Sequence, residues 1–127
     1  IMEKIKVYYE DTDASGRVFY ANYLKYLERG RTEFLYKLNL NHKYIKDNFD
    51  IIFVVKKCDI DFVKPGFFED IINVETKILS FSKVKIIFKQ NLLINKEIIV
   101  KAKITIVSIN SSGKIKSMPN KLLNYFN

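Results

Sequence analysis

The chain has 127 residues, 48% of them hydrophobic, and carries a formal charge of +8. That is enough for one domain with a packed core and too apolar for wholesale disorder. One cysteine, Cys58, excludes an intrachain disulfide, and one histidine, His42, leaves a zinc centre of the Cys/His kind short of ligands. No apolar run approaches the roughly 18 residues of a membrane-crossing helix.

In chain order, Ile5–Tyr9 reads as a short strand and Asp11–Gly16 as a turn. From Asn22 to Leu38 the pattern is helical, with Leu24, Leu27, Phe34, Leu35 and Leu38 near i, i+3, i+4 spacing. Arg29/Glu33 and Glu33/Lys37 are candidate i, i+4 ion pairs. Gly30 in mid-helix costs about 1 kcal/mol against Ala, so it implies another backbone passing close by. Asn39–Asn48 reads as a polar connector with room for a short helical turn.

The second half alternates with period two. Val54, Cys58, Ile60 and Phe62 make one inner face, which assigns Cys58 to the core. Lys64-Pro65-Gly66 is a turn. Ile72, Val74, Thr76 and Ile78 make a second inner face, and Val84, Ile86, Phe88, Leu92 and Ile94 a third. Ile98, Val100, Ala102, Ile104 and Ile106 make a fourth. Single lysines sit between these positions, which is the pattern of a solvated face. After Pro119, Lys121–Phe126 fits a short terminal helix. One long helix followed by strands is an α+β pattern with an antiparallel sheet. A single helix must cover the whole apolar face, so the sheet has to curl around it, with Gly30 and Ala102 as small residues at the contact.

Asp11-Thr12-Asp13-Ala14-Ser15-Gly16 has the oxygen spacing of the first half of a calcium-binding EF-hand loop. The twelfth loop position is Asn22 instead of a bidentate Glu, and a β-rich segment precedes the loop, so calcium is a poor fit. A plain turn followed by a helix cap explains the residue types. A third reading sets a carboxylate against free N–H groups at a helix start, which stabilise a developing oxyanion. That pairing suffices for acyl transfer without histidine, metal or serine.

"YYEDTDASGRVFYANYLKYLERGRTEFL" (Tyr8–Leu35) resembles the signature of hot-dog-fold acyl-CoA thioesterases of the YbgC / 4-hydroxybenzoyl-CoA thioesterase type. "DFVKPGFFEDIINVET" (Asp61–Thr76) resembles that family's strand-turn-strand segment, and "SMPNKLL" (Ser117–Leu123) its C-terminal ending. The resemblance implies one hot-dog domain over residues 1–127, a curled antiparallel sheet wrapped around one long central helix. It implies hydrolysis of acyl-coenzyme A to a carboxylic acid and CoA. Asp13 matches the family's catalytic carboxylate, and Tyr20 stands seven residues on, where YbgC-like members usually carry His and the 4-hydroxybenzoyl-CoA branch Tyr. Gly16, Val18, Phe19 and Asn22 fall in the implied substrate-binding stretch. Phe19 and Arg17 depart from the commoner residues there, which leaves the acyl group open.

The expected protein is thus a cytoplasmic thioesterase that uses no cofactor, coenzyme A being part of the substrate, and no metal. Its expected partners are acyl-CoA and further copies of itself in a dimer or homotetramer, since edge pairing covers exposed strands. The basic charge also fits peripheral contact with an anionic membrane surface. No nucleic acid is expected, because there is no arginine-rich patch or aromatic strand platform. Three rival readings remain. A dehydratase on the same fold would need His42. A nucleic-acid-binding module or a non-catalytic scaffolding protein would need no chemistry at Asp13.

Overall fold

The computed structural model describes residues 3–127; Ile1 and Met2 lie outside the described residues. Its elements are β1 (Glu3–Lys6), α1 (Asn22–Lys37), α2 (His42–Phe49), β2 (Ile52–Phe62), β3 (Ile71–Phe81), β4 (Lys85–Ile94), β5 (Glu97–Ile109) and a terminal turn of helix, α3 (Asn120–Leu123). The strands form one antiparallel sheet in the order β1-β3-β4-β5-β2. β1 and β2 are therefore its two edges.

α1 has 16 residues, about 24 Å of helix at 1.5 Å per residue. Its buried stripe is Tyr23, Tyr26, Leu27, Gly30 and Leu35. Tyr23 and Tyr26 take the place expected for Leu24, which is exposed. The helix touches β4 through the Phe34–Phe88 ring pair and β2 through Tyr23–Phe62. A Cβ on Gly30 would overlap Val74 Cγ1 of β3 and come within 2.9 Å of Thr76 Oγ1 and 3.0 Å of Gln90 Nε2. The mid-helix glycine is thus the point where helix and sheet meet. Its opposite numbers are Val74, Thr76 and Gln90; Ala102 lies one strand further on, paired with Gln90.

Gln90 continues the inner face of β4 between Phe88 and Leu92 and is fully buried. Its amide donates to the Leu27 carbonyl and to Thr76 Oγ1, both at 2.9 Å, and it accepts from Arg31 Nη1 at 3.1 Å. A buried amide is tolerated because its hydrogen bonds are made.

Further sequence expectations change. First, β1 ends at Lys6, and Tyr9–Asp11 is a 3₁₀ turn. The Tyr8 N–H donates to the Asp11 carboxylate at 3.0 Å, an alternative to continuing the ladder. Second, the Asn39–Asn48 connector is largely helical, being most of the eight-residue α2, which runs on to Phe49. The Asn41 side chain caps it by accepting from Tyr44 N at 2.7 Å, and Ile45 anchors it in the core. Third, Cys58 is exposed. A bulge at Val55/Lys57 reverses the alternation in β2: Val55 lies opposite the buried Ile106, while Val54 lies opposite Val107 on the other face. Cys58 does share a face with Ile104, but on an edge strand with little of the chain packed over it. Of the expected helix ion pairs, Lys37 instead reaches Glu3 at 2.6 Å.

Candidate active site

Residues 12–18 form a small antiparallel ribbon. Thr12 bridges Val18, Asp13 N donates to Arg17 O at 2.9 Å, and Gly16 N donates to Asp13 O at 2.9 Å. Gly16 turns the ribbon with φ of +82°, a conformation that costs glycine little. At its tip the Asp13 carboxylate accepts from the N–H and hydroxyl of Ser15. These two bonds, ahead of the Arg17 charge, hold its pKa below the ordinary value. Asp13 is exposed in the single chain and is ionised at neutral pH, a form able to act as base or nucleophile.

The ribbon is docked at three points. Val18 is buried in the core, and its N–H donates to Gly66 O at 2.8 Å. Gly66 N in turn donates to the Tyr23 hydroxyl at 2.9 Å, so the Lys64-Pro65-Gly66 turn locks ribbon to helix. Phe19 N donates to Asp11 O at 2.9 Å, and Asn22 Nδ2 donates to the same oxygen at 2.8 Å. Val18 and Asn22, both expected to face substrate, use their side chains to hold this loop against α1.

The start of α1 is open. Its cap residue, Ala21, has no side chain able to close it. Asn22 N is taken by Phe19 O at 2.8 Å, and Tyr23 N by Tyr20 O at 3.2 Å. Among the described residues, nothing accepts from the N–H groups of Tyr20 or Ala21. Free donors at a helix N-terminus favour negative charge.

An aromatic wall stands beside these donors. Tyr20 lies 4.9 Å from the Phe19 ring and 6.1 Å from Phe62, and Phe62 lies 5.8 Å from Tyr23. Phe19, Tyr20 and Phe62 are exposed in the single chain. The sequence alone did not place Phe62 here; the "KPG" turn, which returns the chain toward Val18, was the available signal.

Asp11, the other carboxylate, is buried (6% exposed). Burial pushes its pKa up, but the Tyr8 N–H, the neighbouring Tyr26 hydroxyl and Lys25, 3.5 Å away, together bring it below the usual value. The Tyr26 hydroxyl is itself buried and, among the described residues, has no partner of full hydrogen-bond geometry; burial, followed by the adjacent Asp11 carboxylate, pushes its pKa up. Asp11 is thus a structural carboxylate. A hollow of about 740 Å³ lies between β1 and α1 and is lined by charged residues including Glu10, Glu28 and Arg29. It includes neither Asp13 nor Tyr20. His42 opens α2 beyond the far end of α1, with its ring 6.3 Å from Phe53. Among the described residues no cluster of His, Cys, Asp or Glu is arranged to hold a metal.

Residues 7–126 match the family model described as the thioesterase-like superfamily. The chain is 37% identical over 112 residues to the acyl-CoA thioesterase YbgC of Haemophilus influenzae, covering 88% of this chain and 82% of that one. It is 29% identical over 125 residues to the acyl-CoA thioester hydrolase YbgC of Escherichia coli O157:H7, covering 96% and 92%. The structure of a probable thioesterase from Bartonella henselae superposes with a TM-score of 0.89 at 31% identity, covering 94% of this chain and 98% of that one. With this sheet, this central helix and these matches along nearly its whole length, the chain belongs to the hot-dog-fold thioesterase-like superfamily.

Proposed function

We infer that this protein is an acyl-CoA thioester hydrolase in which Asp13 and the open start of α1 carry the chemistry. The observation behind this reading is an ionised, ribbon-mounted carboxylate on the same short stretch of chain as two unused N–H donors at an uncapped helix start. The thioester oxygen accepts from the Tyr20 N–H, and the aromatic wall receives the acyl group. Asp13 either attacks the carbonyl carbon, giving an acyl-carboxylate anhydride that water then hydrolyses, or takes a proton from the attacking water. In both routes the negative charge gathers on the thioester oxygen, where the helix-start donors stabilise it. The C–S bond then breaks and coenzyme A leaves as its thiolate, which needs no strong general acid. On this account no metal or cofactor takes part.

The reading extends to assembly and place. β2 is an eleven-residue edge strand, and Val55, Phe62 and Val63 are about half exposed. Pairing with a second copy covers them and brings apolar surface over the aromatic wall. Acyl-CoA substrates and a lone unpaired cysteine fit the cytoplasm. No helix among the described residues is long and apolar enough to cross a membrane.

Release of free thiol from a panel of short, long and aromatic acyl-CoAs tests the reading. Turnover of at least one class is expected. No release from any of them by the folded protein would favour a binding role on the same fold.

A further inference from the structure

Arg17 occupies a position the thioesterase chemistry does not use. In the antiparallel ribbon Thr12 pairs with Val18, so Asp13 and Arg17 are the next pair, and their side chains share a face. Arg17 also bridges Phe67 on its other side. Asp13, Arg17 and Phe67 therefore form one cross-strand row, with the cation in the middle. The guanidinium lies over the Phe67 ring, 5.6 Å from its centroid, a distance at which ring and cation attract. Asp13 is turned the other way, onto Ser15. The two opposite charges share a face of one ribbon and yet form no ion pair.

Among the described residues no side chain or backbone group accepts a hydrogen bond from the Arg17 side chain. Arg17 is exposed, and its ring support limits the positions it samples. A fixed guanidinium with its donors unspent is suited to a carboxylate or phosphate, which it can grip with two parallel hydrogen bonds.

We propose that Arg17, braced on Phe67 beside the Asp13 carboxylate, is a specificity residue that receives an anionic group of the substrate. This inference rests on the thioesterase reading above. The anion has two sources of the same chemistry: a free carboxylate on the acyl chain, as in a dicarboxylic acyl group, or a phosphate of coenzyme A. Arg17 takes no part in bond making; it sets which thioesters dwell at Asp13.

The test compares wild type, Arg17→Gln and Arg17→Lys on succinyl-CoA and butyryl-CoA, and on the N-acetylcysteamine thioesters of the same acids, which carry no phosphate. Arg17→Gln is expected to lose about tenfold or more in kcat/KM, mainly through KM, the scale of one lost charge-assisted hydrogen bond. Arg17→Lys should recover part of that loss. If the acyl carboxylate is the anion read, the loss falls on both succinyl substrates and spares both butyryl ones. If it is the phosphate, the loss falls on both CoA substrates and spares both cysteamine ones. Unchanged kcat/KM throughout, or an equal loss that includes butyryl-N-acetylcysteamine, overturns the proposal. Should wild type hydrolyse none of these thioesters or any other, the thioesterase reading itself falls and the Arg17 proposal with it.

Discussion

The Asn22 side chain donates to the main-chain carbonyl of Asp11 at 2.8 Å, which fixes the first residue of α1 to the segment that leads into the Asp13 ribbon. Together with the Phe19 N–H on the same oxygen, it holds both sides of the Tyr20-Ala21 pair to a carbonyl two residues before Asp13. Asn22→Leu removes it while Phe19 N still satisfies the carbonyl, so the stability cost should be about 1 kcal/mol. Turnover should fall by more than the loss of folded protein explains, since a small misplacement of the reacting groups is costly. Thermal unfolding and steady-state kinetics on the same preparation check this; unchanged turnover would mean that the ribbon is held without it.

Gly30→Ala should destabilise, although alanine is the better helix former by about 1 kcal/mol. The new methyl meets Val74, Thr76 and Gln90, and overpacking of this kind costs typically 1–3 kcal/mol. A lower urea midpoint at unchanged slope is the expected outcome. A more stable variant would show that helix and sheet can separate freely here.

Asp11 gives the protein an acid-sensitive lock. Its folded-state pKa lies below the unfolded value, so the ionised carboxylate stabilises the fold above about pH 3.9. That contribution is lost as pH falls through the folded-state value. Asp11→Asn should lower stability at pH 7 and flatten the loss of stability below about pH 4, as read by chemical denaturation across pH. An acid limb as steep as that of wild type would assign it to other carboxylates.

On the outer face of the sheet Lys77 pairs with Lys89 and Lys89 with Lys103, three like charges in one cross-strand row. Asp59, paired with Lys103, ends the row. Directly opposed like charges are destabilising by some tenths of a kcal/mol each, and salt screens them. Lys89→Glu should therefore raise the melting temperature in low salt, with the gain shrinking as salt is added. A fall in melting temperature would show that the lysines already splay apart at no cost.

Much of the fold was legible because period-two alternation runs through most of β3, β4 and β5, although shifts at Ile78/Ser80 and Leu92/Leu93 interrupt it and bury Leu93 and Ile99 where Ile94 and Ile98 were expected. The glycine in α1 announced the close approach of the sheet. β2 misled because the bulge at Val55/Lys57 shifts the pattern by one residue, and a strand's apolar residues do not say whether anything covers them. Gln90 is not legible as an inner-face residue, because a polar side chain there shows no local sign of the partners that satisfy it. At the site, the sequence pointed to the Asp13–Asn22 stretch through its resemblance to a family. It did not separate residues that face outward, such as Asp13 and Tyr20, from those that hold the loop, Val18 and Asn22. That division depends on Gly66, Phe62 and Asp11, which meet the stretch only once the chain is folded.

The most direct test of the account is thiol release by Asp13→Asn on the best acyl-CoA, beside wild type, Asp11→Asn and Tyr20→Phe, each checked for native circular dichroism and oligomer size. The account predicts that Asp13→Asn stays folded and loses most turnover, that Asp11→Asn loses less, and that Tyr20→Phe keeps much of its activity because the backbone N–H survives. A folded Asp13→Asn protein with wild-type turnover would contradict the role given to the ribbon carboxylate. A Tyr20→Phe protein as inactive as Asp13→Asn would move the chemistry from the backbone amide to the phenol.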